Sequence, residues 1–123
     1  MHVAEALDFD AVFASLPKVQ FPFDRSLPVR GWLVQGPEQQ VVFWHAQRSY
    51  ESQEHSHPYV EWGVVITGWC EIITPTWQRT FNAGEAFYLE PGLPHASVMS
   101  DDYRSMDVFF SPNHVKPEAG GQR

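Results

Sequence analysis

Short runs of strand-forming residues, separated by turn residues, fill most of the sequence after residue 28. These runs are VRGWLVQ (29–35), QVVFWHA (40–46), EWGVVIT (61–67), WCEIIT (69–74), EAFYLE (85–90), HASVMS (95–100) and RSMDVFF (104–110). Turn residues such as Gly36-Pro37 and Pro91-Gly92 stand between them, and PTWQRTFNA (75–83) reads as a loop. Many short strands at such intervals are typical of antiparallel sandwiches and barrels. We therefore expect an all-β domain.

The residues before and after these runs have a different character. Asp8 is expected to cap a short helix over residues 9–16, which Pro17 ends. Apolar side chains recur there at helical spacing, namely Phe9, Val12, Phe13 and Leu16. FPFDRSLP (21–28) reads as an extended connector, and the last residues are polar and rich in Gly. We predict an N-terminal helix and arm over 1–28, a barrel over 29–115 and a disordered tail over 116–123.

Charge and composition argue against several classes of partner. The formal net charge is -7 and there is no basic run, which disfavours binding to nucleic acid or to an anionic membrane surface. No apolar run approaches the roughly 20 residues of a membrane helix, and the acidic N-terminus lacks a signal-peptide core. The single cysteine, Cys70, cannot form an internal disulfide and is expected to be an ordinary strand thiol. We therefore expect a cytoplasmic protein.

The stretch HSHPYVE (55–61) carries the strongest chemical signal. His55, His57 and Glu61 have the same parity, so in an extended segment all three can point to one side. His95 opens a later strand after a turn rich in Gly and Pro. Imidazoles with a carboxylate suit Mn, Fe, Co, Ni or Zn, and four ligands would leave two octahedral positions open. The competing interpretation is that these histidines are scattered surface residues.

The same residues resemble the first sequence motif of the cupins. His55-x-His57-x3-Glu61-x6-Gly68 matches that motif at every position. The second motif resembles Gly84-EAFYLEP-Gly92-LP-His95, although the proline is displaced by one place to residue 91 and Met99 stands where Asn is common. We expect positive φ or a tight bend at Gly68 and Gly84, which flank a hairpin.

This resemblance spans about residues 29–110 and implies a fold and a cofactor. The fold would be a single-domain cupin barrel, an RmlC-like jelly roll. A divalent transition metal, one of Fe, Mn, Ni or Zn, would be held by His55, His57, Glu61 and His95. The resemblance also implies a homodimer, for which Trp32, Trp44 and the N-terminal segment are candidate contact surfaces.

The closing run, SMDVFFSPN (105–113), resembles the last strand of the small pectin-degradation cupins that linearise unsaturated uronates. Their pattern is D-x-F-S-P-x-R, and Asp107 and Phe109 match its first two positions. An extra residue, Phe110, then intervenes, and Asn113 and His114 stand where the Arg would be. Asp107 is the candidate general acid or base, either catalytic or paired with a cation. Substitutes for the missing Arg would be Arg48, Arg79 or Arg104.

The predicted site favours a small anion, because a divalent ion with one carboxylate and three neutral imidazoles keeps about one positive charge. We expect a metalloenzyme for a carboxylate, carbonyl or sugar-acid metabolite, with isomerase, lyase, cyclase or dioxygenase chemistry, and Asp107 and Glu61 as catalytic residues. The alternatives are a non-catalytic sugar or small-molecule sensor and a scaffold.

Two further sets of residues leave alternatives open. His45 is either an inward-facing neighbour of the site or an edge residue. Three tryptophans either stack on substrate or pack the barrel, namely Trp62, Trp69 and Trp77.

Overall fold

The computed structural model describes residues 7–20 and 27–118. One helix, α1 (Phe9–Val12), precedes the strands. The strands are β1 (Val29–Gln35), β2 (Gln40–Ala46), β3 (Tyr50–Glu51), β4 (Glu61–Thr67), β5 (Trp69–Ile73), β6 (Gln78–Asn82), β7 (Ala86–Leu89), β8 (Ala96–Met99) and β9 (Tyr103–Phe109). They form a five-stranded sheet, in the order β1-β2-β9-β4-β7, and a four-stranded sheet, in the order β3-β8-β5-β6. All strand pairs are antiparallel. The expected all-β jelly roll is confirmed.

The core brings apolar side chains of both sheets together. Val65 of β4, Phe87 of β7 and Tyr103 of β9 come from the larger sheet, and Cys70 and Ile72 of β5 come from the smaller one. All five belong to one buried cluster. Their alternation with less buried neighbours in β4 and β5 is the pattern of strands with one face toward a core.

Each predicted run contains a strand, but two strands were not predicted. β3 is only two residues long, and β6 lies inside the stretch interpreted as a loop. Within β6 only Phe81 is buried, because this strand is an edge of the smaller sheet. An edge strand that buries so little has almost no alternating hydrophobic pattern, so sequence periodicity cannot detect it.

The N-terminal helix is shorter than expected. Asp8 caps it as predicted, because its Oδ1 accepts a hydrogen bond from the Asp10 amide at 3.1 Å. The helix ends at Val12, however, and residues 13–16 form turns. Its buried residue, Phe9, packs edge-on against Trp32 and Phe43. Trp32 is 1% exposed, so the expectation that it forms a dimer surface is wrong.

The residues that flank the barrel cover one edge of the larger sheet. Lys18 forms a bridge with Trp32 of β1, and Val19 forms a bridge with Pro117. The Gln20 and Glu118 amides add hydrogen bonds of 2.8 Å to the Lys116 and Lys18 carbonyls. Residues 116–118, which we expected to begin a disordered tail, therefore pair with the arm. The rest of that tail and most of the predicted connector, 119–123 and 21–26, lie outside the described residues.

Two glycines end strands in a conformation that other residues rarely adopt. Gly68 and Gly84 have φ of 76° and 88°, which confirms the expectation for this hairpin. A Cβ at residue 68 would also collide with the Ser100 hydroxyl. The Gly84 turn is joined to β4 by a 2.8 Å hydrogen bond from its amide to the Val65 carbonyl. Among the described residues, no helix has the length and apolar character needed to span a membrane.

Candidate metal centre

Three histidines from two separate segments meet at one end of the sheets. His55 and His95 form an isolated antiparallel bridge, with two backbone hydrogen bonds of 2.9 Å between them. The His57 carbonyl accepts a hydrogen bond from the Gly92 amide at 2.8 Å, which ties this segment to the turn before His95. One ring nitrogen from each histidine lies within 4.8 Å of the other two. The backbone thus brings together the three histidines that the two motifs contribute.

Hydrogen bonds to carbonyl groups fix the tautomer of all three rings. The Nδ1 atoms of His55, His57 and His95 lie 2.9, 3.0 and 2.9 Å from the carbonyl oxygens of Gln53, Tyr59 and Leu93. A carbonyl oxygen only accepts, so each Nδ1 must donate its proton. In the neutral imidazole, Nε2 then carries the lone pair. Metal-ligating histidines are commonly held in this way, so the donor set fits a divalent ion.

Glu61 lies beside this cluster at the start of β4. Its Oε1 is 3.1 Å from His57 Nε2 and 3.7 Å from His95 Nε2, and the residue is 7% exposed. Burial raises the pKa of Glu61, whereas a hydrogen bond from the Asp107 side chain lowers it. Glu61 is therefore placed to add one carboxylate oxygen to the three nitrogens.

Asp107 lies on β9, adjacent to β4, and is buried against Glu61. The Ser105 hydroxyl donates a 2.8 Å hydrogen bond to its Oδ1. Burial, and then the charge of Glu61, raise the pKa of Asp107 well above its ordinary value. Burial beside Glu61 therefore favours the protonated form of Asp107, which can donate a hydrogen bond to the Glu61 carboxylate.

Gly63 makes room for this carboxyl group. It pairs with Asp107 across β4 and β9, and a Cβ there would lie 2.6 Å from Phe87 Cζ and 3.0 Å from Asp107 Oδ1. We expect Gly63→Ala to destabilise the protein by about 1–3 kcal/mol, because a buried ring or the carboxyl group must move. Urea unfolding of the metal-free protein measures this loss. Unchanged stability would show that the space beside Asp107 is not tightly filled.

A cavity of about 240 Å³ adjoins the cluster. Its polar lining includes His55, Glu61, His95, Ser105 and Asp107. Apolar and aromatic side chains form much of the remaining wall, including Leu27, Val29, Trp44, Tyr50, Cys70, Ile72, Phe87, Leu89, Met99 and Phe109. Trp44, a second candidate for a dimer surface, therefore contributes to this cavity. Such a pocket, apolar with a few convergent polar groups, is typical of a small-molecule site.

Several other candidate residues are engaged elsewhere. His45 Nε2 lies 2.8 Å from Asp102 Oδ1, which favours the second of the two alternatives for His45, a residue that is not a neighbour of the site. Arg104 also pairs with Asp102, at 3.1 Å, and Arg79 lies over the Phe81 ring. The remaining arginine and two of the tryptophans are exposed, namely Arg48, Trp69 and Trp77. Burial raises the pKa of Cys70 to about 11, so the thiol stays protonated, as expected for a structural residue.

Sequence reasoning gave little weight to two residues near the cluster. The Tyr59 hydroxyl lies 2.6 Å from His114 Nδ1, and the His114 ring stacks on Phe109 with centroids 3.8 Å apart. The same ring meets His57 edge-on at 5.2 Å. Burial, and then the charge of His57, lower the pKa of His114 to about 4. The available signal was the closing pattern, in which His114 falls in the region where uronate-linearising cupins carry an arginine.

Comparison with known proteins adds support for the fold alone. No protein-family model and no curated protein sequence matches the chain. Among solved structures, KdgF from a Halomonas species is 22% identical with a TM-score of 0.65, and the match covers 74% of this chain and 84% of that one. An RmlC-like cupin from Shewanella frigidimarina is 19% identical with a TM-score of 0.65, covering 78% of this chain and 91% of that one.

A third similar structure is larger and is described with Mn(II) centres. It is oxalate decarboxylase of Bacillus subtilis, which is 16% identical with a TM-score of 0.67, and the match covers 82% of this chain but 29% of that one. The likeness extends over most of the first two chains and part of the third. The chain therefore has the same fold as these structures.

Proposed function

We propose that this protein is a divalent-metal-binding cupin that acts as a metalloenzyme on a small metabolite bearing a carboxylate or carbonyl group, such as a sugar acid. One observation carries the proposal: three Nε2 lone pairs and one buried carboxylate converge beside a cavity. A set of three imidazoles and one carboxylate suits Mn, Fe, Ni or Zn. The Mn(II) centres of the structurally similar oxalate decarboxylase are consistent with such a site.

The charge of the site selects an anion. A divalent ion, three neutral imidazoles and one ionised Glu61 leave about one positive charge, and a protonated Asp107 adds none. The rest of the protein is acidic, with a formal net charge of -7. A small carboxylate is therefore attracted to the cavity beside the histidines more strongly than to the rest of the surface.

The protein's own side chains supply the means to move a proton. When bound, a divalent metal ion polarises a substrate carbonyl or carboxylate. The Asp107 carboxyl lies between Ser105 and Glu61 at the cavity wall. Its proton can be transferred to a metabolite bound in the cavity, and the carboxylate can take a proton back. Apolar side chains form much of the cavity wall around that proton. This arrangement supports isomerase, lyase or cyclase chemistry, and dioxygenase chemistry is the alternative if the metal is iron.

The test is turnover by the metal-loaded protein and by Glu61→Gln, with uronates, oxalate and small β-diketones followed by NMR. We expect wild type to convert a compound of this panel and Glu61→Gln to lose that conversion while keeping its fold. Glu51→Gln, which changes an exposed glutamate of β3, is the matched control and should stay active. Undiminished conversion by Glu61→Gln would contradict the role of Glu61. A compound that binds wild type and is recovered unchanged would favour the sensor alternative.

Homodimerisation and a cytoplasmic location stay predictions. Exposed aromatic side chains lie on or near β6 and β7, an edge strand of each sheet, and include Trp69, Trp77 and Tyr88. A second copy that covered these edges would remove apolar surface from water and protect unpaired backbone groups. This surface replaces the buried Trp32 as the candidate dimer contact.

A further inference from the structure

His114 lies at the cavity wall without being one of the three clustered histidines. It follows β9 in the chain, and its ring is held between Phe109, on which it stacks at 3.8 Å and 11°, and His57, which it meets edge-on. It contributes to the lining of the same cavity as Glu61 and Asp107. The stacking fixes the plane of the ring, so its two nitrogens have defined directions.

The hydrogen bond to Tyr59 determines which nitrogen of His114 carries the proton. Tyr59 Oη and His114 Nδ1 lie 2.6 Å apart, within hydrogen-bond distance. A phenol O–H is a stronger donor than the N–H of a neutral imidazole, and an imidazole lone pair is a stronger acceptor than a phenol oxygen. Tyr59 therefore donates and Nδ1 accepts, which leaves the proton of the neutral imidazole on Nε2. Within residues 7–20 and 27–118, no protein group is hydrogen-bonded to that Nε2.

This tautomer is opposite to that of the clustered histidines. His55, His57 and His95 donate through Nδ1 and keep a lone pair on Nε2, which suits a metal. His114 instead has an N–H on Nε2 and cannot ligate a metal through that atom without losing its proton. An N–H at the wall of an anion-selecting cavity suits an acceptor oxygen of the substrate.

Tyr59 is itself held by the metal centre. Its ring stacks on His57 with centroids 4.5 Å apart and planes inclined by 10°, and its carbonyl accepts the His57 Nδ1 proton at 3.0 Å. The same residue thus orients a metal ligand with its backbone and His114 with its side chain. The position of His114 is therefore coupled to that of the metal centre.

We propose that His114 Nε2–H is a substrate-binding donor for a carboxylate or carbonyl oxygen, and that Tyr59 is a positioning residue that fixes this tautomer. The proposal rests on the proposed function, because it assumes that the metabolite occupies the cavity beside the metal. It gives the protein a neutral donor in the region where the uronate-linearising cupins have an arginine. This donor makes one hydrogen bond and carries no charge, whereas a guanidinium binds a carboxylate through two hydrogen bonds and a positive charge.

The tautomer is tested on the metal-free protein by NMR with ¹⁵N-labelled histidine. We expect His114 to show a proton on Nε2 and none on Nδ1, and we expect Tyr59→Phe to lose this preference. Tyr88→Phe, which changes an exposed tyrosine, is the matched control and should leave His114 unchanged. A proton on Nδ1 of His114 in the wild type would overturn the proposal.

The donor role is tested with oxalate as the probe, by calorimetry on Zn²⁺-loaded protein. His114→Phe keeps the stacking on Phe109 and should bind oxalate about tenfold or more weakly with unchanged zinc content, whereas His114→Gln, which restores an N–H, should recover much of the affinity. Equal oxalate affinity in His114→Phe and wild type, or zinc lost from His114→Phe, would overturn the role of His114 alone. Oxalate that fails to bind zinc-loaded wild type would overturn the donor role of His114, whereas the proposed function is decided by the turnover test. A wild type that takes up no metal would contradict the proposed function and, with it, the donor role of His114.

Discussion

The His55→Ala/His57→Ala variant is expected to bind divalent metal at least about a hundredfold more weakly than wild type. Loss of a residue that merely orients a ligand costs about 10- to 100-fold in affinity, and this variant removes two ligands directly. Both side chains contribute an Nε2 lone pair that is oriented by a backbone carbonyl. One imidazole and one carboxylate would remain, which is too few donors for tight binding.

The measurement is titration with Zn²⁺ in competition with a chelator of known affinity. His45→Gln is the matched control, because His45 pairs with Asp102 away from the cluster and should not affect the titration. Circular dichroism must show that the double variant keeps its strands. Metal affinity equal to that of wild type in a folded double variant would place the site elsewhere.

Asp107→Asn is expected to lower turnover by about 10²- to 10⁴-fold while the metal content stays the same. This is the usual contribution of a positioned general acid or base, and an amide cannot transfer the proton in its place. Folding should tolerate the change, because the amide is nearly isosteric and can donate to Glu61 as the protonated carboxyl does.

This prediction is measured on whichever compound of the panel the wild type converts. Asp10→Asn is the matched control, since Asp10 lies in the exposed first turn of α1. An Asp107→Asn protein with wild-type turnover would show that Asp107 only fills space and holds Glu61. Loss of turnover together with loss of metal would instead assign Asp107 to the support of the metal centre.

The alternation of side chains along a strand predicted which residues of β9 lie near the site, because this alternation is a local property of extended chains. Asp107 and Phe109 share parity, and both line the cavity together with Ser105 two residues earlier. The motif spacing likewise identified three histidines whose nitrogens converge. These features depend on few residues at short separation, and the register of two antiparallel sheets then places them at the same end.

Features that depend on long-range contacts could not be predicted in the same way. From the sequence alone, Trp32 can be taken for a surface residue. Its burial depends on α1 and the arm, which pack over β1. His45 lies on the face of β2 that carries Phe43 and packs against Phe9 of α1, and its partner Asp102 lies in the turn between β8 and β9. The tautomer of His114 depends on Tyr59, 55 residues earlier in the chain, so no local pattern reveals it.

The central claim is that His55, His57 and His95, with Glu61, hold one divalent metal. Elemental analysis of wild-type protein, purified without a histidine tag and supplied with metal before dialysis, tests it most directly. The account predicts about one transition-metal ion per chain, and its identity then distinguishes oxygen-dependent chemistry, if it is iron, from isomerisation or ring opening. Protein that retains no metal after this treatment would contradict the account.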